Sequence, residues 1–152
     1  MKLNTENKYK ALAYTGEEGE FTLKDLLSFG EKTILYFYPK DNTPGCTLEN
    51  KDFSFMKAQF KEKGVSVIGV SKDSIDSHKK FIEKQDLEVD LISDLDLVLH
   101  KELGVYGEKN NYGKIVMGVI RSTFLVDKNG EVLKEWRNIK ATGHAERILK
   151  EV

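Results

Sequence analysis

Between Thr33 and Tyr38 the chain reads Thr-Ile-Leu-Tyr-Phe-Tyr, an apolar and aromatic run too short for a helix. A strand made of such residues carries apolar side chains on both faces, so layers of structure must cover it on both sides. The next segment supplies one cover. Phe53, Met56 and Phe60 recur at spacings of three and four, with Gly64 as a stop, which predicts a helix after the strand. Val65 to Val70 then reads as a second buried strand.

Further along, Ser74 to Lys84 has helical character, with Ser74 as N-cap and Phe81 and Ile82 facing inward, and Val89 to Ile92 is a short extended piece. Leu95 to Leu103 reads as one further short helix. Ser122 to Val126 and Glu131 to Trp136 flank Asp127-Lys128-Asn129-Gly130, and Asn-Gly between β-rich runs signals a hairpin. A last helix starts at His144. Parallel crossovers need helices and the hairpin adds antiparallel strands, so this order gives an α/β fold with a central mixed sheet flanked by helices, similar to a thioredoxin-like architecture. At 152 residues the chain has the length of one domain, 1–152, with no repeat or linker.

The two prolines, Pro39 and Pro44, fall in the loop between the first buried strand and its helix: Pro39-Lys40-Asp41-Asn42-Thr43-Pro44-Gly45-Cys46-Thr47-Leu48-Glu49. Thr43 fits the N-cap and Pro44 the first helical position, because Pro lacks the N–H that would be orphaned there. Cys46 then falls in the first turn, where the positive end of the helix favours a thiolate over a thiol, and the thiolate is the nucleophilic form. Gly45 carries no side chain, which leaves the neighbouring backbone amides open to a small oxygen-bearing substrate. Taken singly, a lone Cys is more often a buried core residue, and Thr43 and Pro44 only a helix start. Their combination tips the balance.

Pro-x-x-x-Thr-x-x-Cys, filled by Pro39, Thr43 and Cys46, resembles the active-site signature of the peroxiredoxin family, and the string from Tyr36 to Thr47 resembles its bacterioferritin comigratory protein, or peroxiredoxin Q, subgroup. The resemblance continues in Arg121-Ser122-Thr123-Phe124-Leu125-Val126-Asp127 and in Gly143-His144-Ala145-Glu146. It implies that Cys46 is the peroxidatic thiol, that Thr43 hydrogen-bonds the peroxide, that Pro39 shields the sulfur from water and that Arg121 stabilises the thiolate. Arg keeps its charge at every relevant pH, which suits that last role. Glu49 is a candidate to orient Arg121, or is simply an acid favoured in a first helical turn.

Many members of the subgroup place a resolving cysteine five positions after the peroxidatic one. Here that position is Lys51, and Cys46 is the only cysteine, so the resemblance implies a one-cysteine variant. A peroxidase of this kind reduces hydrogen peroxide and organic hydroperoxides through a sulfenic acid and needs an external thiol, of the thioredoxin or glutaredoxin and glutathione type, for regeneration. The alternative is a redox sensor that passes its oxidation to a partner protein. The peroxidase reading predicts an accessible Cys46.

The formal net charge of -1 offers no electrostatic footprint for nucleic acid or membrane. A free thiol suits the cytoplasm, and the N-terminus lacks the apolar stretch of a signal peptide. No bound cofactor or metal is expected, since His78, His100 and His144 lack ligand spacing. His78 reads as part of a solvated helix face with Ser77, Lys79 and Lys80, and His144 as a capping or surface residue. Trp136 reads as sheet packing, and Gly104 to Gly107 and Asn110 to Gly113 as tyrosine-bearing loops. The subgroup resemblance implies a monomer.

Overall fold

The computed structural model describes the backbone of residues 1–152 and every side chain except that at position 111. Strands β1 (Lys8–Leu12) and β2 (Glu18–Thr22), helix α1 (Leu23–Leu26) with a 3-10 turn at Leu27–Phe29, and strand β3 (Lys32–Phe37) lead to the long helix α2 (Pro44–Glu62). Then come β4 (Val65–Ser71), α3 (Ile75–Gln85), β5 (Asp90–Ser93), α4 (Val98–Glu102), β6 (Tyr106–Asn111), β7 (Lys114–Val119), β8 (Ser122–Asp127), β9 (Val132–Trp136) and α5 (His144–Glu151).

Seven strands form one sheet in the order β2-β1-β5-β4-β3-β8-β9. β3 is parallel to β4 and β4 to β5, and each crossover carries a helix; β8 runs antiparallel to β3. The period of two along β3 divides its residues between two cores. Leu35 and Phe37 join Leu26, Leu27, Leu99 and Phe124 on the face of α1 and α4. Ile34 and Tyr36, with Tyr38 just beyond, join Phe53, Phe60, Phe81 and Ile148 on the face of α2, α3 and α5. The sheet is therefore covered on both sides, as the apolar run at Thr33 to Tyr38 requires.

The β8–β9 hairpin lies where Asn-Gly placed it. Gly130 holds φ of 87°, and a Cβ there would sit 2.7 Å from Thr5 Cγ2, so the turn has room for no side chain. The edge strand β2 and its neighbour β1 lie outside the sequence reading because both are short and largely polar or charged, Glu-Gly-Glu-Phe-Thr in β2 and Lys-Tyr-Lys-Ala-Leu in β1.

Three expectations are corrected. The helix read over Leu95 to Leu103 starts only at Val98, because Leu97 holds φ of 59° and the Asp94 carboxylate accepts the N–H groups of Val98 and His100. The tyrosine-bearing loops belong to a hairpin, β6 against β7, set apart from the main sheet. Its turn has both central residues at positive φ, Tyr112 at 53° and Gly113 at 83°. His78 and His144 are fully buried rather than solvated. Nε2 of His144 lies 2.7 Å from Thr123 Oγ1, and its ring meets Phe53 edge-on. Burial, with Arg147 and Arg121 nearby, lowers its pKa to about 4, so it is a neutral core residue at the start of α5.

Candidate active site

The site forms at the end of β3 where the chain leaves the sheet. Thr43 is the N-cap of α2 with extended backbone, and Pro44, Gly45 and Cys46 make the first turn, as their types require. The hydroxyl of Thr43 does not cap the helix, however; it donates to the Lys40 carbonyl at 2.8 Å. Its lone pairs are thereby left free to accept. The first bond of the α2 ladder runs from Thr47 N to Thr43 O, so the N–H groups of Gly45 and Cys46 precede the ladder and point from its positive end.

Arg121 arrives from the far side of the sequence. Ser122 pairs with Phe37 in the antiparallel β3–β8 register, so the residue just before β8 stands beside the end of β3. Nη2 of Arg121 lies 3.2 Å from Cys46 Sγ, and Nη1 donates to Glu49 Oε1. One guanidinium thus holds the sulfur with one nitrogen and a carboxylate with another, a use of its planar fork that Lys has no geometry for. A Cβ on Gly45 would lie 3.4 Å from Arg121 Nη2 and 3.8 Å from Ala141 Cβ, so the glycine also makes room for this arginine.

Glu49 is fully buried, and its Oε2 has no hydrogen-bond partner among the described residues. Burial pushes its pKa up to about 7, against the pull of Arg121. For Arg121, burial opposes the charge, and Glu49 and Cys46 outweigh it, so the guanidinium holds its proton more firmly than a free arginine. Glu49 and Arg121 are thus in direct contact.

Cys46 is 1% exposed, which corrects the expectation of an accessible sulfur. It sits in the core cluster with Tyr36, Phe53 and Ala145, below the first turn of α2. A peroxide is small enough to suit such a position. Pro39, half-buried, begins the same loop.

Two further residues that sequence reasoning missed hold the helix start. Asn50 Nδ2 donates to the Cys46 carbonyl at 2.9 Å, and the Tyr36 hydroxyl donates to Asn50 Oδ1 at 2.6 Å, all buried. Tyr36 in turn stacks on Phe53 with ring centroids 4.3 Å apart. A polar residue four positions after a cysteine on a helix is a weak signal by itself; only the packing of β3 against α2 shows its use.

A family model described as AhpC/TSA matches residues 5–135. A putative peroxiredoxin bcp of Helicobacter pylori is 48% identical over 131 residues, covering 86% of this chain and 85% of that protein. Peroxiredoxin Bcp of Bacillus subtilis is 42% identical over 150 residues, covering 99% and 95%. Among solved structures, the bacterioferritin comigratory protein of Xanthomonas campestris, described with alkyl peroxide reduction activity, superposes with a TM-score of 0.84 at 39% identity, covering 97% of this chain and 90% of that one. A peroxiredoxin Q of Xanthomonas campestris, also 39% identical, has been solved as two different cysteine-to-serine variants, so it carries at least two cysteines where this chain has one.

Proposed function

Because the chain belongs to the AhpC/TSA family, among its Bcp or peroxiredoxin Q members, we propose that it is a thiol-dependent peroxidase working through Cys46. The observation that carries this reading is the Arg121 guanidinium, which touches both the lone cysteine sulfur and the buried Glu49 at the start of a helix. A cation at 3.2 Å stabilises the sulfur as an anion, and the first-turn amides add to it.

In the proposed reaction the Cys46 thiolate attacks one peroxide oxygen. The S–O bond forms as the O–O bond breaks, the sulfur gives two electrons, and the second oxygen leaves as water or alcohol after taking up a proton. Thr43, its own proton committed to the Lys40 carbonyl, accepts the peroxide O–H and orients it, while Arg121 and the first-turn N–H groups stabilise charge developing on the oxygens. Pro39 limits water at the sulfur. The product is a sulfenic acid.

With one cysteine in the chain, no second internal sulfur exists to condense with it. An external thiol forms a mixed disulfide and releases water, and a second thiol displaces Cys46 by exchange. We infer a reductant of the thioredoxin or glutaredoxin and glutathione type, hydrogen peroxide and organic hydroperoxides as substrates, and the reducing cytoplasm as the compartment. No helix among the described residues is long and apolar enough to cross a membrane. The test is steady-state peroxide consumption with each reductant system in turn. Sustained turnover lost in Cys46→Ser supports the reading; a single equivalent consumed with every reductant contradicts it.

A further inference from the structure

Asp41 lies in the active-site loop, two residues before Thr43, and its side chain is buried. Its carboxylate accepts from the Tyr38 hydroxyl at 2.6 Å, from Ser77 Oγ at 2.8 Å and meets His78 Nδ1 at 2.7 Å. Its backbone N–H donates to Asp73 Oδ2 at 2.9 Å, which also accepts from Ser71 Oγ. Every one of these partners belongs to β3, β4, α3 or the residues beside them, so the loop is tied to the sheet and to the first turns of α3 at one point.

His78 is fully buried, and its other nitrogen, Nε2, lies 3.1 Å from the Ile92 carbonyl. A carbonyl only accepts, so Nε2 carries a proton, and a second proton lies between Nδ1 and Asp41 Oδ2. A hydrogen-bonded pair of this kind, taken out of water, breaks at high cost if one partner is removed. The next residue in the loop, Asn42, holds φ of 61°, a left-handed conformation that asparagine adopts more readily than other side chains, and contacts on both sides hold the loop in that turn. Thr43 pins one side through Lys40, and Asp41 the other. Neither of the other buried histidines takes part: His100 pairs with Asp94, which caps α4, and His144 with Thr123.

Building on the peroxidase reading, we propose that Asp41 and His78 are positioning residues, a buried clamp that holds the loop in the shape that sets Thr43 and the Cys46 turn for attack on peroxide. Attack on peroxide needs aligned donors and acceptors around the sulfur, whereas alkylation by iodoacetamide needs only a reachable thiolate. The clamp therefore acts on the first reaction far more than on the second.

The test compares the two rates in His78→Leu, His78→Asn and Ser77→Ala, with thermal stability measured beside them. Asn places an amide N–H where Nδ1 stood and so keeps the bond to Asp41, while losing the Ile92 bond and ring volume. The expected result is a peroxide rate lowered about tenfold or more in His78→Leu, with alkylation within about threefold of wild type, and a peroxide rate largely retained in His78→Asn although that variant is also destabilised. Ser77→Ala gives a smaller loss of the same sign and carries the test if His78→Leu does not fold. A peroxide rate unchanged in His78→Leu, or in Ser77→Ala where the other is unfolded, or one that tracks stability across all variants, overturns the clamp alone. A wild-type peroxide rate no faster than a free thiol overturns the peroxidase reading, and the clamp with it.

Discussion

Arg121 does two things with one side chain, and each has a measurable consequence. Because its fork reaches Cys46 and Glu49 together, Arg121→Lys keeps a charge but loses one of the two contacts, and the peroxide rate is expected to fall about hundredfold, the scale of losing one oxyanion donor. A stopped-flow rate within a few-fold of wild type would show that charge alone suffices. Glu49 makes a prediction of a different kind. Its pKa is raised from 4.5 to about 7, so between those values the native protein holds a proton that the unfolded chain releases, and stability falls as pH rises through that window. Wild type is therefore expected to lose stability relative to Glu49→Gln from pH 4.5 to about 7, with no further change above it, in urea titrations at stepped pH. A constant difference would mean that Arg121 keeps the carboxylate charged throughout. Among single residues of the candidate site, Cys46, Thr43 and Gly45 were legible through local spacing and motif, and Arg121 only through the family resemblance. The burial of the sulfur, Asn50 and the Asp41–His78 pair were not. A histidine between serine and lysines has a polar neighbourhood in sequence whichever way its ring faces, and only the packing of α3 on the sheet turns it inward.

The elements were legible where one periodicity dominated. α2 shows this within two residues: Phe53 is fully buried and stacked on Tyr36, while Phe55 is 86% exposed. Phe53→Ala is expected to cost about 3–5 kcal/mol in chemical denaturation, and Phe55→Ala to stay within about 0.5 kcal/mol. Equal losses would contradict the facing of the helix on which the position of Cys46 depends. The buried strands β3 and β4, the crossover helices and the β8–β9 hairpin all came from runs of apolar residues, caps and Asn-Gly. The strands that were missed, β1, β2, β6 and β7, mix charged residues into their pattern, and all but β1 carry a glycine as well. Their pairing is decided by partners distant in sequence, as in the β1–β5 ladder, rather than by anything local.

For the whole molecule, the decisive property is a count: one cysteine, in the first turn of a helix that covers one face of a mixed sheet. Oxidation has no internal disulfide to run to. Peroxide-treated protein should stay at its monomeric chain mass on a non-reducing gel and add one dimedone label at Cys46; a second chain linked through sulfur would mean that a partner copy supplies the resolving thiol. A peroxidase of this design stands or falls on the reactivity of its buried sulfur. That reactivity is read by mixing reduced protein with equimolar hydrogen peroxide and recording Trp136 fluorescence by stopped flow, with mass spectrometry of the product. Sulfenic acid at Cys46 is expected to form at least about a thousandfold faster than on a free thiol, and to be lost in Cys46→Ser. A rate no faster than that of an ordinary thiol would contradict the peroxidase reading and leave the Arg121, Cys46 and Glu49 cluster as a packing arrangement in a fold that serves some other purpose.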